Sequence, residues 1–292
     1  MHLYLFALLL QSPFTGRWDL TISTPNGAYP GWLEVASKGG QTEVRFQPRS
    51  GSVRPVKDFK LEGDKLTLSL SPQMTMELTA KGSELTGVQK RGDSPSGEVK
   101  GLRAPTLDRP SPKSWTPPQP LFNGKDLAGW EPDRPDRSHW IAQDGYLVNA
   151  EKGANLRTTR PFNDFKLHLE VNCPDRGNSG LYLRGRYEMQ IEYEAAGVED
   201  AYHSMGAIYG MAPVTKELPR RPGEWESFDV TLVGRRVTIV RNGVTIIDNQ
   251  EVAGITGGAL DSREGEPGPF YIQGDHTGGI KFRNMTISVP RN

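Results

Sequence analysis

Apolar residues in this chain recur at every second position, in short runs bounded by glycine turns, and that period confines it to β structure. Phe165-Lys166-Leu167-His168-Leu169-Glu170-Val171 alternates without a break, and Trp18-Asp19-Leu20-Thr21-Ile22 sets Trp18, Leu20 and Ile22 on one face. Successive side chains point to opposite faces of a strand, so such a run buries one side and leaves the other polar. Gly 33 and Pro 23 among 292 residues, with an apolar fraction of 35%, fit many short strands joined by turns and little helix. Arg241-Asn242-Gly243-Val244 is the strongest hairpin signal, because a type I′ turn needs positive φ at both central residues.

Six prolines crowd the stretch Ala104–Pro120, which has almost no apolar periodicity. Proline at that density holds the chain extended and semi-rigid. The expected organisation is a small all-β domain over 13–103, a proline-rich linker over 104–119, and a strand-rich domain over 120–290. Gly16-Arg17-Trp18 makes the first domain similar to a lipocalin-like barrel or half-barrel; it holds no histidine and is read as a binding or supporting unit. The second, with evenly spaced strands, is expected to be a two-sheet jelly-roll sandwich. Residues 1–12, with the apolar run Leu3–Leu10 before Gln11-Ser12-Pro13, form a candidate export signal, which would direct the chain to the periplasm or outside the cell. Two other readings of that run are a misplaced start and a buried strand. The run is too short to span a bilayer, and no other segment could cross one.

Lys+Arg 35 against Asp+Glu 35 leaves no basic field to attract nucleic acid. Cys173 is the single cysteine, so no intramolecular disulfide or cysteine-based metal cluster can form; it reads as a small half-buried strand residue.

The segment Gly177–Glu192 reads as a turn feeding one strand. Leu181, Leu183, Tyr187, Met189 and Ile191 share one parity, and Arg184, Arg186, Glu188, Gln190 and Glu192 share the other. Five polar groups would then stand in a row. On an ordinary solvated strand they would be surface, with the arginines paired to Glu188 or Glu192.

Six other motifs accompany this segment: Leu121-Phe122-Asn123-Gly124 through Gly129-Trp130, Trp140–Val148, Gly206-Ala207-Ile208-Tyr209-Gly210, Gly223-Glu224-Trp225 before Asn242-Gly243, Gln273-Gly274-Asp275-His276-Thr277-Gly278, and Phe282-Arg283-Asn284. In that order they resemble the bacterial 3-keto-disaccharide hydrolase domains over residues ~120–290; the first domain lies outside the resemblance. Ile191-Glu192-Tyr193-Glu194 and Thr277 depart from the family pattern, which bears on substrate choice more than on fold. The resemblance implies a concanavalin-like, laminin-G-like sandwich with a carbohydrate site on its concave face. It also implies cleavage of 3-keto glycosides by removal of the C2 proton, elimination and hydration, as a hydrolase or lyase, in place of the two-carboxylate route. An oxidised glycoside is the implied partner, supplied by an upstream sugar 3-dehydrogenase.

Such chemistry needs a base, an electrophile for the enolate oxygen and an acid for the leaving group. His276, with Asp275 beside it in a glycine-flanked loop, is the candidate base. Arg184 is the candidate enolate partner, and Arg186 could fork onto sugar hydroxyls. Glu188 could be the acid, bind hydroxyls together with Gln190, or hold a divalent cation with His276. Glu192, Gln273, Asp275, Tyr182 and Tyr209 complete the expected substrate face, with His168 and His203 as further candidates. No cofactor is otherwise demanded. The rivals are a non-catalytic carbohydrate-binding module on the same fold and a structural adhesion protein.

Overall fold

The computed structural model describes residues 12–193 and 200–291. The candidate export signal at Leu3–Leu10 and the departing Glu194 lie outside them. The described chain is all-β, with one short 3₁₀ turn at Pro135–Arg137. It divides into two compact units. One holds the chain up to Gln47 and Arg54–Ala104. The other holds Pro105 onward together with Pro48–Val53, a segment that the sequence order sets inside the first.

The first unit is one antiparallel sheet of nine strands: β1 (Gly16–Thr24), β2 (Gly27–Lys38), β3 (Gln41–Gln47), β4 (Arg54–Pro55), β5 (Phe59–Glu62), β6 (Lys65–Ser71), β7 (Met74–Lys81), β8 (Glu84–Arg91) and β9 (Ser94–Arg103). Their order is β4-β3-β2-β1-β9-β8-β7-β6-β5, two meanders joined where β1 pairs with β9. Trp18, Leu20 and Ile22 are buried on one side of β1, as the alternation predicts, and join a core with Leu33, Val35, Leu66, Leu68, Met76 and Val99.

The second unit has two sheets. The larger takes β10 (Gln119–Pro120), β12 (Trp140–Gln143), β13 (Tyr146–Asn149), β15 (Phe165–Asn172), β18 (Trp225–Val233), β19 (Arg236–Arg241), β20 (Val244–Glu251) and β22 (Ile280–Ser288). The smaller takes β11 (Trp130–Pro132), β14 (Leu156–Thr158), β16 (Asn178–Leu183), β17 (Tyr187–Glu192) and β21 (Tyr271–Ile272), in the order β11-β14-β21-β16-β17. Phe165, Leu167, Leu169 and Val171 are the buried parity of β15, and Phe165 meets Phe270 edge-on at 4.7 Å. The sandwich expected from the sequence is thus present, with its core between the sheets. Asn242 and Gly243 have φ of 49° and 76° between β19 and β20, as a type I′ hairpin requires.

The buried parity of β17 continues into Tyr193, which ties the sheets. Arg241 on β19 donates to Glu226 on β18 and, at 3.0 Å, to the Tyr193 hydroxyl, while that hydroxyl donates to Glu226. Cys173 follows β15 and is buried, and burial pushes its thiol up to about 12, so it is inert.

Candidate functional site

The segment read as one polar strand is a hairpin. Leu183 O accepts from Arg186 N at 3.1 Å, and Arg184 and Gly185, with φ of 55° and 68°, form a turn between β16 and β17. Leu183 pairs with Tyr187 across three intervening residues, an odd number, so the parity of the apolar face survives the turn. Leu181, Leu183, Tyr187, Met189 and Ile191 are all buried. The polar face changes membership: Glu188 stands opposite Tyr182, Gln190 opposite Gly180 and Glu192 opposite Asn178. Directly opposed residues share a face, so these side chains meet. Tyr271 pairs with Tyr182 on the next strand, and Tyr209 N donates to Glu188 O at 2.9 Å along the outer edge of β17.

Glu188 is the centre of this face. Its side chain folds over Gly180, where a Cβ would fall 2.2 Å from Glu188 Oε1, so a larger residue there would displace the carboxyl. The residue is 4% exposed. Burial pushes its carboxyl up to about 8, the charges of Glu192 and Asp275 add to that, and hydrogen bonds from Tyr182 and Gln273 oppose it. The Tyr182 hydroxyl is 3.0 Å from Glu188 Oε2 and 2.8 Å from Gly257 O, and it accepts from Gln273 Nε2 at 2.8 Å. It owns one proton for two acceptors. The Gly257 carbonyl can only accept, so when Tyr182 donates there, the contact with Glu188 is satisfied by a proton on the carboxyl.

Around this centre the face is dense in polar groups. Asn178 Nδ2 donates to Glu192 Oε1 at 2.7 Å, and Gln190 Nε2 donates to the other Glu192 oxygen. Asp275 Oδ1 accepts from His276 Nδ1 at 2.8 Å, and this bond is the first cause holding Asp275 below the usual carboxylate range. With Nδ1–H committed to Asp275, a neutral His276 ring keeps a bare lone pair on Nε2. Asp133, Asn155 and Tyr271 form a second cluster: Asn155 Nδ2 donates to Tyr271 Oη at 2.6 Å, and Tyr271 Oη donates to Asp133 Oδ2 at 3.1 Å. Gly274 N donates to Asn155 Oδ1 at 2.8 Å, which anchors the Asp275-His276 loop. These three residues escape sequence reading, because two- and three-residue strands carry no period; only long-range pairing brings them to Tyr182.

The structure brings together Glu188, Gln190, Glu192, Tyr182, Gln273, Asp275 and, at the strand edge, Tyr209. Tyr182 is buried, so it offers its hydroxyl and not a ring face. Arg184 and Arg186 do not join the row. Each sits in or beside the turn, where Arg184 donates to Gly234 O at 2.7 Å and Arg186 pairs with Asp261 at 2.9 Å and donates to Glu266 O at 2.8 Å. The alternation rule fails there because the chain reverses at Gly185. His168 lies on β15 of the larger sheet, bonded to Asp229 at 2.8 Å, away from the smaller sheet. His203 packs edge-on against Tyr209 at 4.8 Å. Among the described residues no group of three or more His, Cys, Asp or Glu side chains is placed to hold a metal ion.

Glu188 is thus a recessed carboxyl amid amides, phenols and further carboxylates, carried on one sheet of a β-sandwich. Residues 117–288 match the 3-keto-alpha-glucoside-1,2-lyase-like domain, and the chain belongs to that family. It is similar to a candidate glycosyl hydrolase from Parabacteroides distasonis ATCC 8503, at 27% identity over 62% of this chain and 92% of that one, with a TM-score of 0.51. A second candidate glycosyl hydrolase from that organism is 20% identical over 60% of this chain and 93% of its own, with a TM-score of 0.48. No curated protein matches the chain. No helix among the described residues is long and apolar enough to cross a membrane.

Proposed function

We propose that the second unit cleaves 3-keto glycosides by elimination, with Glu188 as the acid and His276 as the base. The observation that carries this reading is the buried Glu188 carboxyl, pushed up to about 8 and therefore protonated at neutral pH. A 3-keto group acidifies the C2 hydrogen. His276 Nε2, whose lone pair is left free by the Nδ1 bond to Asp275, takes that proton. The electron pair moves through the enolate and expels the C1 oxygen, which receives the Glu188 proton. Water then adds across the resulting enone in the hydrolytic variant. Gln190, Glu192, Gln273 and Tyr209 hold the sugar hydroxyls, and Arg184 and Arg186 support the hairpin that presents Glu188. The substrate must come from an oxidoreductase that oxidises C3 of a glycoside. Export through the Leu3–Leu10 run belongs to the same proposal.

The test is turnover of a 3-keto disaccharide by the full chain, with the unoxidised disaccharide as control. Glu188→Gln is expected to lower kcat by about 10²–10⁴-fold, the range of a general acid, while retaining sugar affinity. Sugar binding without turnover in the wild-type chain would overturn the enzyme reading in favour of a binding module.

A further inference from the structure

Ser52 Oγ lies 2.6 Å from His203 Nε2, and His203 Nδ1 lies 2.8 Å from Asp200 Oδ2. The carboxylate can only accept, so Nδ1 carries the proton and Nε2 of the neutral ring accepts from the serine hydroxyl. That is the order of contacts in a nucleophile, its base and the group that orients the base. Asp200 is itself fixed: Oδ1 accepts from Tyr202 N at 2.8 Å, and its carbonyl accepts from Ser204 N and Ser204 Oγ at 2.9 and 2.6 Å. The Tyr209 ring at 71° to the imidazole limits its rotation. Ser52 and His203 are both half-buried, so the hydroxyl is within reach of solvent.

The serine is held in place by backbone contact and not by this hydrogen bond alone. The Pro48–Val53 segment belongs to the second unit. Gly257 has no positive φ that would require glycine, yet a Cβ there would fall 2.3 Å from Gly51 O. At Gly210 a Cβ would fall 2.8 Å from Ser52 Cβ, and Gly258 N donates to Arg49 O at 2.9 Å. Two glycines thus clear a seat for the loop that carries Ser52. Among the described residues the Ser52 and Val53 amides donate to no protein group, so neither N–H is committed elsewhere in the fold.

We propose that Ser52, His203 and Asp200 form an acyl-transfer site for carboxylic esters. Ser52 Oγ attacks the ester carbonyl carbon as its proton passes to His203 Nε2. The tetrahedral intermediate collapses, the bond to the alcohol oxygen breaks, and His203 returns the proton to that oxygen. Water, deprotonated by the same nitrogen, adds to the acyl carbon; the bond to Ser52 Oγ breaks, His203 returns the proton to Oγ, and the carboxylic acid leaves. Nothing in this sequence needs a keto sugar or Glu188, so its failure and that of the 3-keto reading are separable.

The full chain is treated with a fluorophosphonate probe, the labelled residue is located by peptide mass spectrometry, and p-nitrophenyl acetate hydrolysis is followed in parallel. Labelling at Ser52 and ester turnover are expected in the wild-type chain. Both are expected to vanish in Ser52→Ala and to slow by on the order of 10³-fold or more in His203→Ala, with unchanged circular dichroism. A wild-type chain unlabelled at Ser52, or equal labelling rates in wild type and His203→Ala, would show that the three residues only strap the loop and would overturn the proposal.

Discussion

A carboxyl pushed up to about 8 in the folded chain holds a proton that the unfolded chain releases near its ordinary pKa of about 4.3. Between those values the folded state binds more protons, so the contribution of Glu188 to stability is greatest below about pH 4 and declines as pH rises through that window. The decline amounts to a few kcal/mol in order of magnitude. Wild-type Tm is therefore expected to fall from pH 5.5 to pH 9 more steeply than that of Glu188→Gln, whose amide does not titrate; parallel curves would disconnect Glu188 from folding. Turnover is expected to decline above about pH 8, where the acid loses its proton. Gly180 gives a second handle on the same atom. Gly180→Ala places a Cβ 2.7 Å from Glu188 Cγ and must move the carboxyl, with an expected loss of about 10²-fold in kcat and a smaller change in KM.

At the scale of the strands, buried polar groups do the joining that an apolar core alone leaves unspecified. Glu226, Arg241 and Tyr193 link β18 and β19 of the larger sheet to the end of β17 in the smaller. Glu226→Gln removes the charge that Arg241 faces inside the sandwich, and the midpoint of urea unfolding should report a loss of about 3–5 kcal/mol. A loss under 1 kcal/mol would mean that water reaches Arg241. Much of this architecture is legible in the sequence. Phe165–Val171 alternates because one face of β15 is buried, and Asn242-Gly243 turns because both residues tolerate positive φ. The reversal at Arg184-Gly185 is not legible in that way. Arginine rarely adopts a φ of 55°, and the apolar period runs on through the turn as though no reversal occurred. Glu188, Gln190 and Glu192 keep their face because they lie beyond the turn, whereas the arginines fall inside it. Asp133, Asn155 and Tyr271 depend on which short strands become neighbours, and that is decided by packing across the whole sheet.

At the scale of the molecule there are two cores, each enclosed by its own strands. Calorimetry is expected to show two unfolding transitions, of which Glu188→Gln alters only one; a single transition displaced as a whole would mean that the two cores melt as one. Six residues complicate this division. Pro48–Val53 leaves the sheet of the first unit after β3, lies with the second unit against Gly210 and Gly257, and returns at β4. Recombination between genes trades domains at boundaries such as the proline-rich stretch after Ala104. Here that exchange would deliver a sandwich whose glycines face an empty seat, and would leave Ser52 behind on the other piece. Pro48–Val53 is packed as part of the second unit yet encoded within the span of the first, so a cut after Ala104 would deprive the second unit of a piece of its own fold.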